Sequence, residues 1–131
     1  MEERQRVMLI TGAAGGVGRA TVAYFAQAGW RVVGVDRADF GTGFPENGLF
    51  VRADISNPQD IETIYQQASA FAGVLDVVVN NAAMQITRPL VETSVEEWDL
   101  VMASNLRSVF LGAKLAYPLL VAAGGGAIVN V

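Results

Sequence analysis

The chain has 131 residues and a formal net charge of −4, and its isoelectric point is about 4.6. Its eight arginines are scattered and its one lysine is Lys114, so no basic cluster indicates a nucleic-acid-binding surface. The absence of cysteine and histidine excludes disulfides, cysteine nucleophiles, histidine-based triads and the usual zinc sites, and we expect no metal centre.

The length predicts one domain over residues 1–131. Hydrophobic residues make up 52% of the chain and the mean hydropathy is +0.35, which predicts either a large core or an apolar surface that a partner covers. No uncharged apolar run reaches the roughly 18 residues that a membrane helix needs, and the N-terminus lacks the pattern of a signal peptide. We therefore expect a cytoplasmic protein without membrane contact.

Short apolar runs alternate with segments of helix-forming residues along the chain. The runs predict strands over residues 7–10, 31–35, 49–52, 75–79 and 127–131. The other segments predict helices over residues 19–28, from 58 to about 71, and from 94 to about 123 with room for a break. Residues 38–48 are polar and glycine-rich and predict a loop. This alternation indicates βαβ units, and the continuous apolar strands indicate a parallel sheet covered on both faces.

Three helix boundaries carry capping signals. Gly29 stands where the first helix would stop. Either Ser56 or Asn57 caps the second helix, with Pro58 in its first position. Ser94 opens the third helix, where a glutamate three residues later predicts a capping box.

The first strand and the first helix are joined by a glycine-rich turn, TGAAGGVG, from Thr11 to Gly18. Without a Cβ atom, Gly12, Gly16 and Gly18 permit a tight turn and let a phosphate approach the backbone at a helix N-terminus. The spacing matches neither G-x-G-x-x-G nor a P-loop, which needs a Gly-Lys-Ser/Thr sequence. The alternative is a purely structural glycine turn.

Asp36 ends the second strand, 24 residues after Gly12. A carboxylate at this place can accept hydrogen bonds from both ribose hydroxyls of an adenosine and would repel a 2′-phosphate, which favours NAD over NADP. The neighbouring Arg37 could instead pair with such a phosphate, stack on adenine or remain solvated. Gly15 favours NAD, because a basic residue in the turn would favour NADP.

Together these features resemble the N-terminal half of the short-chain dehydrogenase/reductase family, from Val7 to Val131. The family's T-G-x-x-x-G-x-G is present, followed by an acidic residue after the second strand, an Asp-Ile pair after the third, a form of N-N-A-G after the fourth and a helical asparagine. These residues are Thr11, Gly12, Gly16, Gly18, Asp36, Asp54, Ile55, Asn80, Asn81, Ala82, Ala83 and Asn105. Residues 126–131, GAIVNV, are similar to the strand before the family's catalytic serine, and Ala83 departs from the family's glycine.

The resemblance implies a doubly wound, Rossmann-like α/β fold with five strands in the order 3-2-1-4-5, and NAD in the crevice between strands 1 and 4. It implies hydride transfer between nicotinamide and an alcohol or carbonyl in the full-length family. The cofactor-binding residues that it implies are Gly12, Ala14, Gly15, Gly16, Val17, Gly18, Asp36, Arg37, Asp54, Ile55, Asn81, Ala82 and Ala83. Asn105 matches the family's catalytic asparagine, which supports a proton-relay water.

The family's catalytic serine and Tyr-x-x-x-Lys motif would fall beyond Val131. No tyrosine here is followed by lysine four residues later; the three are Tyr24, Tyr65 and Tyr117. We therefore expect this chain to bind NAD without catalysing turnover by itself, as a truncated product or one half of a split enzyme.

The alternative is a non-catalytic structural or interaction module. In that case, apolar surface left uncovered by truncation would drive homo-oligomer formation. The helix at residues 106–120 and the strand edge at residues 127–131 are the candidate contact surfaces.

Overall fold

The computed structural model describes residues 3–131. Within them, five parallel strands form one sheet in the order β3-β2-β1-β4-β5, which confirms the predicted order. The strands are β1 (Val7–Thr11), β2 (Arg31–Asp36), β3 (Leu49–Arg52), β4 (Val77–Asn80) and β5 (Ala127–Asn130). β1 lies at the centre of the sheet, so its carboxyl end is flanked by those of β2 and β4.

Helices connect most of these strands. They are α1 (Gly16–Gln27), α2 (Pro58–Ala72), α3 (Val95–Met102) and α4 (Ser108–Ala122), with a 3₁₀ turn (Leu90–Glu92) before α3 and a π-helical segment (Ala103–Arg107) between α3 and α4. The long helix predicted from residue 94 is formed by α3, the π-helical segment and α4, and the π-helical segment is its break.

The two faces of the sheet are covered by different means. On one face, α2 and α4 pack against buried strand residues such as Val33. On the other face, α1 contributes Val22, and the loop between β2 and β3 contributes Phe40 and Phe44 where a helix is absent. Gly34 permits this packing, because a Cβ atom there would lie 2.7 Å from the Phe44 ring. The predicted loop is therefore a hydrophobic cover for the sheet.

Two element boundaries differ from the prediction by more than one residue. α1 begins at Gly16 rather than residue 19, and Gly15 caps it with an extended backbone. The low helix propensity of glycine hid this first turn from the sequence. β4 begins at Val77 rather than residue 75, because the Leu75 N–H donates to the Leu119 carbonyl of α4 instead of joining the sheet.

Side-chain hydrogen bonds show which residues cap α2 and α3. Asn57, not Ser56, caps α2, since its Oδ1 accepts a hydrogen bond from the Gln59 N–H at 2.9 Å. Ser94 Oγ caps α3 by accepting from the Glu97 N–H at 3.1 Å. The Glu97 carboxylate accepts from the Ser94 hydroxyl at 3.3 Å rather than from its backbone N–H, so half of the predicted capping box forms.

Candidate functional site

A cleft of about 460 Å³ opens at the carboxyl ends of β1, β2, β3 and β4. In open α/β sheets, ligands bind where the strand order reverses, which is here between β1 and β4. The lining residues are Gly12, Gly15, Val35, Asp36, Arg37, Ala53, Asp54, Ile55, Asn81, Ala82, Ala83, Met84 and Ser104. The structure thus brings most of the predicted cofactor-binding residues together, while Ala14, Gly16, Val17 and Gly18 lie in the adjoining turn and in α1.

Two glycines of the turn are required by close packing. Gly12 has a φ of +67°, and a Cβ atom there would lie 2.9 Å from Asn81 Nδ2 and 3.0 Å from the Ala82 Cα. A Cβ atom on Gly18 would collide with the Gly12 carbonyl oxygen and lie 2.8 Å from the Ala13 Cα. These two positions therefore let α1 and the end of β4 approach the turn closely.

The other two glycines border open space. A Cβ atom on Gly16 would meet nothing within 4 Å, and one on Gly15 would meet only the Gly12 carbonyl oxygen at 3.5 Å. α1 begins at this point, so the N–H groups of Gly16, Val17 and Gly18 have no acceptor within the helix. Free donors beside open space fit a bound phosphate, which the positive end of the helix dipole also favours.

The Asp36 carboxylate is held by two backbone N–H groups. Its Oδ2 accepts from Ala14 and its Oδ1 accepts from Ala38, both at 2.9 Å. A carboxylate has about four lone-pair sites, so each oxygen keeps capacity for a further donor. Asp36 and the adjacent Arg37 both line the cleft.

Asp54 lines the cleft just beyond the end of β3. Its Oδ1 accepts from the Ser56 N–H at 2.9 Å and from the Ser56 hydroxyl at 2.8 Å. Burial raises the pKa of this carboxyl, but the two hydrogen bonds and the positive charge of Arg37 together hold it below its ordinary value. Asp54 therefore presents a negative charge beside Ile55 in the cleft at neutral pH.

The ends of β1 and β4 are joined by Thr11 and Asn81. Thr11 Oγ1 accepts from the N–H groups of Asn81 and Ala82 at 3.1 and 3.0 Å. Asn81 Nδ2 donates to the carbonyls of Thr11 and Gly12, each at 3.3 Å. The preceding Asn80 turns away, and its Nδ2 donates to Asn130 Oδ1 of β5 at 2.9 Å.

Asn105 lies in the π-helical segment and pairs with the backbone of Met84. Its Oδ1 accepts from the Met84 N–H at 2.8 Å and its Nδ2 donates to the Met84 carbonyl at 2.7 Å. Asn105 itself does not line the cleft, whereas Met84 and the buried Ser104 do. This helical asparagine is therefore satisfied by a partner 21 residues earlier in the chain rather than by its own helix.

Three lining residues escaped the sequence analysis. Val35 and Ala53 directly precede predicted residues, which could have indicated them. Met84 begins the segment at residues 84–93 after the N-N-A-A motif, which is a candidate pocket lining from the sequence, and it lines the cleft. Ser104 carries no such signal, because the direction of its side chain depends on the π-helical segment.

The tyrosines provide no group in the cleft. Tyr24 is exposed on α1, and Tyr65 is buried between α2 and α4, where burial raises the pKa of its hydroxyl. Among residues 3–131, no group of three or more acidic side chains is placed to hold a metal ion. None of the helices in this part of the chain is long and apolar enough to cross a membrane.

A profile of the short chain dehydrogenase family matches residues 6–131. The chain belongs to the short-chain dehydrogenase family. An uncharacterized oxidoreductase of Schizosaccharomyces pombe is 36% identical over 127 residues, which cover 96% of this chain and 49% of that protein. The cis-4-hydroxycyclohexanecarboxylate dehydrogenase of Sinomonas cyclohexanicum is 38% identical over 135 residues, covering 97% of this chain and 54% of that protein. The chain thus spans about half the length of these curated relatives.

Solved structures of dehydrogenases share the fold. The ligand-free aldohexose dehydrogenase of Thermoplasma acidophilum has a TM-score of 0.88 and 27% identity, over 97% of this chain and 49% of that one. A short chain dehydrogenase of Leptospira borgpetersenii with bound NAD⁺ has a TM-score of 0.86 and 25% identity, over 97% of this chain and 51% of that one. The Rossmann-like arrangement predicted from the sequence is confirmed.

Proposed function

We propose that these 131 residues are the NAD-binding portion of a short-chain dehydrogenase. The observation that carries this proposal is the cleft, which Gly12 and Gly15 of the glycine turn line together with Asp36. The N–H groups at the start of α1 would bind the diphosphate, and Asp36 would accept hydrogen bonds from the adenosine ribose. Asp54 and Ile55 would border the adenine. The nicotinamide, when bound, supplies hydride exchange with an alcohol or carbonyl.

The charge at the end of β2 supports a preference for NAD over NADP. The Asp36 carboxylate, fixed by two N–H groups, would repel a 2′-phosphate on the ribose that it binds. Gly15 offers no basic side chain to such a phosphate. Arg37 is the one basic residue among those that line the cleft, and its charge acts on Asp54, which offsets its attraction for a phosphate.

The end of β4 would hold the nicotinamide half of the cofactor. Asn81, Ala82 and Ala83 lie there, and Asn105 fixes the backbone of Met84 beside them. Asn105 would support a proton-relay water in the full-length family's reaction. Its side chain is engaged with Met84, so this support would come from the backbone that it helps to place.

Titration calorimetry with NAD⁺ and NADP⁺, followed by a dehydrogenase assay with secondary alcohols, tests the proposal. We expect micromolar NAD⁺ binding that is at least about tenfold tighter than NADP⁺ binding, which corresponds to about 1.4 kcal/mol. We expect no turnover, because no tyrosine of these residues has a lysine four positions later. Binding of neither dinucleotide would contradict the assignment, and turnover would show that this portion carries its own acid–base group.

Self-association is a second candidate role, and exposed apolar side chains favour it. Phe110 and Tyr117 of α4 are 62% and 67% exposed, and Ile128 and Val129 lie on the edge strand β5. Clustered apolar exposure is typical of interaction surfaces. Light scattering over a range of protein concentrations tests this role, and a monomer at every concentration would exclude it. The cytoplasmic location remains a prediction.

A further inference from the structure

Ala14 of the glycine turn is held by hydrogen bonds on both sides of its Cα atom. Its N–H donates to Asp36 Oδ2 at 2.9 Å, and its carbonyl accepts from Arg19 Nε at 2.9 Å. Arg19 belongs to α1 and does not line the cleft. The N–H and the carbonyl belong to the two successive peptides that meet at the Ala14 Cα atom, so the backbone conformation of Ala14 links Arg19 to the carboxylate that faces the cleft.

The far end of Arg19 is anchored in the loop between β2 and β3. Its Nη2 donates to the Phe40 carbonyl at 2.6 Å, and its guanidinium lies 4.2 Å from the centre of the Phe40 ring. Phe40 is 6% exposed and packs edge-on against Phe44, with ring centres 5.0 Å apart. Arg19 thus connects the glycine turn to a buried aromatic cluster that is rigid because it is part of the core.

We propose that Arg19 is a positioning residue for dinucleotide binding, which acts through the backbone of Ala14 on the orientation of Asp36. This inference rests on the proposed NAD-binding function. Without Arg19, the Ala14 carbonyl loses its donor and the peptide that follows Ala14 can rotate. The accompanying change in the backbone angles of Ala14 moves its N–H away from Asp36. The carboxylate then keeps the Ala38 N–H as its remaining fixed partner and meets the ribose in several orientations.

Arg31 offers a matched control. Its guanidinium lies 3.9 Å from the centre of the Phe71 ring, and it donates to the carbonyls of Asn47 and Phe71, each at 3.4 Å. It therefore has the same kinds of contact as Arg19, but none of them reaches a residue that lines the cleft. Substitution of each arginine by methionine keeps an apolar stem over the ring and removes the donors.

The test compares the affinities of ADP and 2′-deoxy-ADP by titration calorimetry in the wild type, Arg19→Met and Arg31→Met. The two ligands differ by one ribose hydroxyl, so their affinity ratio reports how well Asp36 is placed. We expect the wild type to prefer ADP by about tenfold, which is typical of a hydrogen bond to a charged group. Arg19→Met should reduce this preference to about twofold, and Arg31→Met should leave it unchanged.

A merely structural effect would weaken both ligands equally and leave the ratio intact. The inference would be overturned if Arg19→Met kept the wild-type ratio of ADP to 2′-deoxy-ADP affinity. It would also be overturned if Arg31→Met reduced this ratio as much as Arg19→Met does. Should Arg19→Met fail to fold, Arg19→Lys replaces it, because an ammonium group cannot span both carbonyls and the ratio should again fall. A wild type that binds neither NAD⁺ nor ADP would instead remove the proposed function itself.

Discussion

The two walls of the cleft are built on different supports. The first wall, which is the glycine turn at 11–18 with Asp36 and Asp54, is held by hydrogen bonds at the ends of β1, β2 and β3. In the second wall, which is residues 83–84 with the π-helical segment, the two parts are joined by the hydrogen bonds of Asn105 to Met84. We therefore expect the first wall to be as stable as the sheet, and the second to respond to single substitutions without global unfolding.

Gly18→Ala should break the first wall and give the largest effect. The new methyl group would collide with the Gly12 carbonyl oxygen, so α1 would have to move away from the turn. We expect a loss of about 3 kcal/mol or more in the free energy of unfolding, together with loss of NAD⁺ binding. Urea denaturation and calorimetry measure the two effects.

Gly16→Ala is the matched control for that substitution. A Cβ atom on Gly16 meets nothing within 4 Å, so the free energy of unfolding should stay within about 0.5 kcal/mol of the wild type. NAD⁺ affinity should nevertheless fall, because the methyl group would occupy the space assigned to the diphosphate. Equal stability losses in the two variants would show that the turn does not distinguish packing glycines from binding ones.

Asn105→Ala should loosen the second wall alone. It removes both hydrogen bonds to Met84, which are exposed, so we expect a loss of about 1–2 kcal/mol in the free energy of unfolding. NAD⁺ spans both walls whereas ADP would contact only the first, so NAD⁺ affinity should fall about fivefold and ADP affinity should not change. Calorimetric titration with both ligands provides the comparison, and a parallel loss for ADP would show that the walls are not independent.

The difference between the two walls explains which parts of the site the sequence could predict. Strand ends, glycines and a carboxylate at set places in the chain predict Gly12 and Asp36 in the first wall, and the resemblance to the family adds Asp54. All three line the cleft. The second wall depends on a π-helical turn that the 3.6-residue periodicity does not encode. Its lining residue Ser104 was therefore missed, and the partner of Asn105 could not be predicted.

The loop between β2 and β3 shows the same limit. Its glycine-rich composition predicted an irregular segment correctly, and no pattern indicated that Phe40 and Phe44 would cover the sheet. That packing requires Gly34 in β2, where a side chain would collide with Phe44. An irregular loop has no periodicity from which this contact could be predicted. Local propensity predicts an element, whereas such tertiary contacts have to be observed.

Asp36→Asn should change the specificity of the first wall more than its stability. The amide keeps one acceptor for backbone N–H groups but loses the negative charge that opposes a 2′-phosphate. We expect NAD⁺ affinity to fall about tenfold and the preference over NADP⁺ to disappear. Parallel titrations with the two dinucleotides measure this, and a retained preference would move the discrimination to Gly15 or Arg37.

Arg4→Ala lies far from both walls and should give the smallest effect. Arg4 donates two hydrogen bonds of 2.8 Å to Asp76, whose Oδ2 also accepts from the Val7 N–H at the start of β1. The Arg4 side chain is 44% exposed, so solvent screening limits the expected loss to about 0.5–1 kcal/mol in the free energy of unfolding. NAD⁺ affinity should not change.

The pH dependence of stability tests whether the Arg4–Asp76 ion pair causes this loss. The hydrogen bonds from Arg4 hold the pKa of Asp76 below its ordinary value, although partial burial opposes them. A carboxyl whose pKa is lower in the folded state stabilises the fold above the unfolded pKa, and this contribution is lost as pH falls through the folded pKa. Urea denaturation between pH 7 and pH 2 should therefore show the wild-type advantage over Arg4→Ala disappearing at acid pH. The control is Arg88→Ala, which breaks the Arg88–Glu97 pair beside α3. A loss of unfolding free energy in Arg4→Ala that persists at the lowest pH would assign the effect to packing.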